Sequence, residues 1–119
     1  MQETKLPICP VIARVWCARA SAAKAARYRE HFEQHVQPSL RGLDGYLGAT
    51  VMSGSGDERE IVVITRWASY DAIRAFAGSN VDRAVVADEA AVLLSTWDKG
   101  VRHYVIDVED QMPSHPREP

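Results

Sequence analysis

The chain has 119 residues, enough to bury a core and too few for two domains. Hydrophobic residues make up 46% and charged residues 25%, as in an ordinary globular protein, and a net charge of -2 excludes the electrostatic footprint that nucleic acid or an anionic membrane demands. No apolar run approaches a membrane span, and MQETKLPICP has no basic stretch leading into an apolar one, so a cytoplasmic setting is expected.

Residues 1–9 read as an arm and 10–109 as a single domain. Its first element is a strand, Val11 to Cys17, in which Val11, Ala13, Val15 and Cys17 alternate with Ile12, Arg14 and Trp16. The period then changes. Ser21 caps a helix running to about Leu40, with Ala25, Tyr28, Phe32, Val36 and Leu40 as one apolar stripe. Pro38 is expected to kink or end that helix, and the glycines of RGLDG close it. Cys9 and Cys17 have neither metal spacing nor a disulfide framework around them, so both read as reduced thiols.

Tyr46 to Gly54 and Arg59 to Trp67 follow as two strands joined by a turn-rich hairpin loop. Ser69 caps a short helix that Gly78 ends, with Ala68 and Ile73 as a hydrophobic staple. Val81 to about Leu94 reads as further helix, weakest near Asp88. Val101 to Glu109 is the last strand, and the proline-containing residues 110–119 read as a mobile tail. The order β-α-β-β-α-β predicts an α+β, ferredoxin-like antiparallel sheet with its helices on one face and its first and third strands central. The uncovered face still carries apolar side chains, which predicts a homodimer closed sheet to sheet as a dimeric α/β barrel.

YREHFEQHV sets His31 and His35 four residues apart, about 40° around a helix, on the shoulder of the buried stripe. A zinc-protease helix needs H-E-x-x-H, whereas Glu33 falls on the far side and no third ligand is evident, so no metal is expected. The two histidines then border a pocket or a solvated helix shoulder, with His35 nearer the core. Arg14, a charge on a central strand, needs a partner, either a salt bridge at the dimer interface or an anionic substrate. His103 and Tyr104 point to opposite faces of the last strand. Tyr28 and Tyr70 offer hydroxyls suited to a phenol or quinone oxygen, and Trp67 reads either as a stacking surface in a cavity or as a core residue.

RWASYDAIRAFAG, the following VDRAVV and the late VRHYVIDV resemble the antibiotic-biosynthesis monooxygenase superfamily of small dimeric α/β barrels. The likeness runs from Val11 to Val108, and YREHF and RVW fit an uncharacterised branch of it. It implies a monooxygenase-like enzyme without a cofactor, acting on an aromatic or polyketide-type molecule whose own phenolate activates oxygen. His35, Trp67 and His103 are then the expected catalytic residues, with Arg14, Tyr28, His31 and Tyr70 binding substrate. Trp67 matches the tryptophan that ends the third strand in phenol-oxidising members, while Val63 stands where they have an asparagine. Haem-degrading members use a first-strand asparagine, where this chain offers Ala13 and Arg14, and a histidine in the second helix, where it has none. The alternatives are a barrel that binds or isomerises a small molecule, or haem binding through His31, His35 or His103.

Overall fold

Alternation along two long strands fixes which side chains meet the helices. The computed structural model describes residues 10–113; the expected arm with Cys9, and the end of the tail (114–119), lie outside the described residues. Strand β1 (Ile12–Ser21) runs past its expected end at Cys17 and pairs antiparallel with β3 (Glu58–Trp67), Val15 opposite Ile64. Ile12, Arg14, Ala18 and Ala20 of β1 and Ile61, Val63, Thr65 and Trp67 of β3 are all buried on the helix side. Strand β2 (Tyr46–Ser53) covers the far edge of β3. The other edge of β1 takes two short pieces, β4 (Thr96–Trp97) and β5 (Arg102–Val105). The order is therefore β2-β3-β1 with β4 and β5 beyond, the expected α+β ferredoxin-like sheet with its first and third long strands central.

The helical layer starts where Ser21 accepts a hydrogen bond from Lys24 N at 3.3 Å, capping α1 (Ala22–His31). The chain does not break at Pro38. Instead Phe32–Val36 forms a π-helical turn, and α2 (Gln37–Arg41) continues with Pro38 in its first turn. Gln37 N–H reaches back five residues to Phe32 O. The wider turn changes the helix phase, so that His31, His35 and Ser39, four apart each time, stay on one side. Gly45 follows with φ of 83°, and a Cβ there would lie 2.5 Å from Ala72 Cβ, so only glycine lets the backbone pass under the next helix.

That helix, α3 (Tyr70–Ala77), is capped by Ser69, which accepts from Ala72 N at 3.1 Å, and ended by Gly78 at φ 91°. The helix expected over Val81 to Leu94 does not form, apart from the single turn α4 (Asp88–Ala91). Its backbone groups find other partners: Ala84 N donates to Lys99 O at 2.8 Å and Val101 N to Asp82 O at 2.9 Å. The last strand, expected over Val101 to Glu109, is only Arg102–Val105, since its pairing ends with Val105 opposite Ile12, where β1 begins. The outer sheet face carries half-buried Val15, Val62 and Ile64, with Met52 and Tyr104 exposed.

Candidate functional site

The helical layer does not seal against the sheet. A cavity of about 430 Å³ lies between them, within the range of small-molecule sites. Arg14, Trp16, Val63 and Thr65 form its floor; Tyr28, His31, Phe32, His35, Val36, Ser39 and Leu40 form one wall; Phe76 of α3 closes another side. The roof is the segment expected to be helix, contributing Val85, Val86, Ala87, Glu89 and Ala90. Val85 is 55% exposed and Glu89 is exposed, so this edge is the mouth.

Along the wall runs a row of four rings. Trp16 and Tyr28 have centroids 6.2 Å apart, Tyr28 and His31 6.2 Å, and His31 and His35 5.3 Å. These are the separations at which aromatic faces attract, and such a row suits a flat ligand. Burial pushes the Tyr28 hydroxyl up to about 12, so it stays protonated and offers a hydrogen-bond donor. The Nε2 of His31 is buried with no hydrogen-bond partner. Both expected helix histidines thus line the cavity, but the expected order is reversed: His35 is exposed, and His31, half-buried with the unmatched nitrogen, lies nearer the core.

Arg14 is where reasoning from alternation stopped short. It is 5% exposed and lies on the helix side, not at the outer face where an interface salt bridge was expected. Nη1 donates to Val81 O, and Nη2 donates to Arg83 O at 2.8 Å, so the guanidinium ties the roof to the floor. Nη1 also lies 3.2 Å from His103 Nε2. Arginine can only donate, so His103 Nε2 accepts and its proton sits on Nδ1, 3.4 Å from Asp82 Oδ1. Both ring nitrogens are engaged, and His103 is absent from the cavity lining. These contacts occupy both nitrogens of the base expected there, which are also the nitrogens that haem ligation would use.

Burial, and then the neighbouring Arg14, hold the His103 pKa below its ordinary value of 6.5, against an opposing pull from Asp82. A lowered histidine pKa means the folded state binds its proton less readily than the unfolded chain. The His103 contribution is therefore complete above about pH 6.5 and shrinks as pH falls below it, levelling off once the folded-state value is passed. Urea titrations of the wild type and His103→Gln at pH 8 and pH 5 are expected to show the larger acid-side loss in the wild type.

The other two expected site residues also lie elsewhere. Trp67 is fully buried, stacked on Phe76 at 5.3 Å and edge-on to Tyr46 at 5.5 Å, and it does not line the cavity. Its Nε1 donates to Thr65 Oγ1 at 2.8 Å. Tyr70 is 40% exposed and packs its edge on His103, outside the cavity. Trp16, Ser39 and Glu89 line the cavity without having stood out as candidates. Trp16 was legible in principle, since it shares the parity of Arg14, and its Nε1 donates to Asp98 O at 2.9 Å. Glu89 was not, because its position depends on the roof. Among the described residues no group of three or more His, Cys, Asp or Glu is placed to hold a metal ion. Nor is any described helix long and apolar enough to cross a membrane.

Comparison with known proteins places this architecture. The chain is similar to a candidate antibiotic-biosynthesis monooxygenase of Bacillus cereus, with 13% identity over 87% of this chain and 99% of that one, at a TM-score of 0.63. It is similar to the monooxygenase ActVA-Orf6 of Streptomyces coelicolor, solved with nanaomycin D, with 21% identity, coverage of 89% and 94%, and a TM-score of 0.54. It is also similar to SnoaB, a cofactor-independent oxygenase of Streptomyces nogalater, with 16% identity, coverage of 89% and 99%, and a TM-score of 0.52. At these identities the likenesses establish the fold. No curated protein sequence matches the chain. The family model described as antibiotic biosynthesis monooxygenase matches residues 12–88, from the start of β1 into the roof of the cavity, and the chain belongs to that family.

Proposed function

We propose that the protein is a monooxygenase-like enzyme that works without a cofactor and oxidises a planar aromatic or polyketide-type molecule in the cavity between helices and sheet. The observation that carries this reading is the row of rings, Trp16, Tyr28, His31 and His35, along one wall of a cavity of about 430 Å³. Family membership supports the reaction class, and a structural relative solved with nanaomycin D supports the ligand class. In the proposed chemistry His35 accepts the phenolic proton. The phenolate then supplies all four electrons that dioxygen needs: the ring carbon para to it takes one oxygen atom and becomes the second carbonyl of a quinone, and the hydrogen of that carbon and the phenolic proton leave with the other oxygen atom as water. The protonated Tyr28 hydroxyl steadies the anion, and the apolar walls exclude water.

The same reading includes a cytoplasmic homodimer joined through the outer sheet face, where Met52 is 44% and Tyr104 51% exposed. Both halves are tested together by sizing chromatography followed by oxygen uptake with anthrone and hydroquinones. A folded dimer consuming one dioxygen per anthrone, faster than autoxidation, is the expected outcome. His35→Phe is expected to slow turnover about 10²- to 10⁴-fold, the usual span of a general base. A folded dimer that consumes no oxygen across the panel removes the proposal.

A further inference from the structure

The roof of the cavity is tied down at one end. Arg14 donates to Val81 O and, at 2.8 Å, to Arg83 O. Ala84 N donates to Lys99 O at 2.8 Å, and Val101 N to Asp82 O at 2.9 Å. Just beyond these ties Val85 and Val86 line the cavity, and among the described residues no backbone hydrogen bond holds either of them. Where residues 81–84 sit therefore decides how far the mouth opens.

The Arg14 fork is itself steadied by a group that can take up a proton. Its Nη1 lies 3.2 Å from His103 Nε2, and a guanidinium, which only donates, makes that bond only while Nε2 keeps a lone pair. Three elements bring a group to face the imidazole: Arg14 from β1, Asp82 from the roof with Oδ1 3.4 Å from Nδ1, and the Tyr70 ring from α3 at 5.4 Å. Its strand neighbours Arg102 and Tyr104 turn to the other sheet face. Burial, and then Arg14, hold the proton off at neutral pH against the pull of Asp82. In acid, a proton on Nε2 sets donor against donor and cation against cation, with the His103 side chain only 6% exposed and little water to screen the pair. Parting the two also takes the fork away from Val81 O and Arg83 O.

We infer that His103 is a proton-sensitive latch on the roof: neutral, it steadies the Arg14 fork and keeps the mouth narrow; protonated, it displaces the fork and frees the roof, so that ligands pass faster in acid. The passage of ligand rests on the proposed reading of the cavity as a site for planar molecules, whereas the loosening of the roof stands apart from it. With the roof open His103 is rid of Arg14 and binds a proton more readily, so protonation favours opening. The gain is up to about tenfold for each pH unit between the closed-state and open-state pKa values.

The first test is hydrogen exchange of the wild type and His103→Gln at pH 8 and pH 5, expressed as protection factors so that the pH dependence of the chemical exchange step drops out. Glutamine offers Arg14 an acceptor at both pH values and takes up no proton. In the wild type, protection at Ala84 and Val101 is expected to fall about tenfold in acid, with the β1–β3 ladder changing far less. In His103→Gln it is expected to hold. The midpoint of the wild-type loss is expected to coincide with the His103 imidazole titration followed by NMR, a comparison that stands if His103→Gln does not fold. The second test is stopped-flow release of naphthalene, which carries no titrating group. Release is expected to be about tenfold faster at pH 5 than at pH 8 in the wild type and equally fast at both in His103→Gln. His31, His35 and Glu89 line the cavity in both proteins, so the difference belongs to His103. Protection that is unchanged in acid, falls evenly through the molecule, or falls as far in folded His103→Gln overturns the latch. So does release at one rate at both pH values in the wild type. Naphthalene that binds at neither pH defeats the small-molecule reading of the cavity, and exchange then decides the latch. A roof that loosens in a protein consuming no oxygen defeats the oxygenase reading alone.

Discussion

Trp67→Ala is expected to cost about 3–5 kcal/mol of unfolding free energy, a large share of the roughly 5–15 kcal/mol typical of a domain. The side chain is fully buried where β3 meets α3, stacked on Phe76 and edge-on to Tyr46. Removing it also strands the Thr65 hydroxyl, which accepts from its indole N–H. The informative partner is Trp67→Phe, which keeps a ring in the stack. It is expected to lower stability by about 1–3 kcal/mol through lost volume and the lost hydrogen bond, while aromatic probes bind the cavity with affinity within a few-fold of wild type. Guanidinium unfolding and probe titration on the same samples check this. A stable Trp67→Phe that no longer binds the probes restores Trp67 to the ligand site.

Arg14→Met is expected to cost about 2–4 kcal/mol, from two roof carbonyls and one imidazole nitrogen left without their donor. Methionine fills much of the volume and keeps the contact with Phe76, over whose ring the guanidinium lies at 5.6 Å, so the loss reports the bonds more than the packing. The effect is expected to be local as well as global. Hydrogen exchange should quicken at Ala84 and Val101, whose amides hold the roof to the 99–101 segment, more than in the β1–β3 ladder. Arg14→Lys is expected to recover only part of the loss, since a point charge cannot span two carbonyls as a planar fork does. Uniform exchange protection in Arg14→Met would show that the roof is held by other means.

The two predictions share a cause. Parity along β1 and β3 decides which residues face the helices, and that much was readable from alternation. Parity cannot tell a residue facing the cavity from one facing the solid core. Trp67 and Thr65 are two apart and both face inward, yet the first is sealed beneath Phe76 and the second touches the cavity. His103 lies opposite Arg14 in the β1–β5 ladder, which puts it on the helix side and leaves Tyr104 on the outer face. Its two nitrogens are nonetheless taken up by Arg14 and Asp82 rather than by the cavity.

Local patterns therefore determined a good deal of this protein. Ser21 and Ser69 cap their helices, Gly78 ends one, and the strand order places β1 and β3 at the centre, because capping, turn chemistry and apolar period act over a few residues. Helical spacing also put His31 and His35 on one face beside the buried stripe. Three things waited on the tertiary structure. The chain passes Pro38 through a π turn because packing on the sheet holds both halves of the helix in place. Val81 to Leu94 forms only the single turn α4 because Arg14 and the 99–101 segment take the polar groups of its first half, outweighing a helical preference worth only tenths of a kcal/mol per residue. The cavity exists because that roof stands off the sheet, and residues more than sixty positions apart decide where it stands.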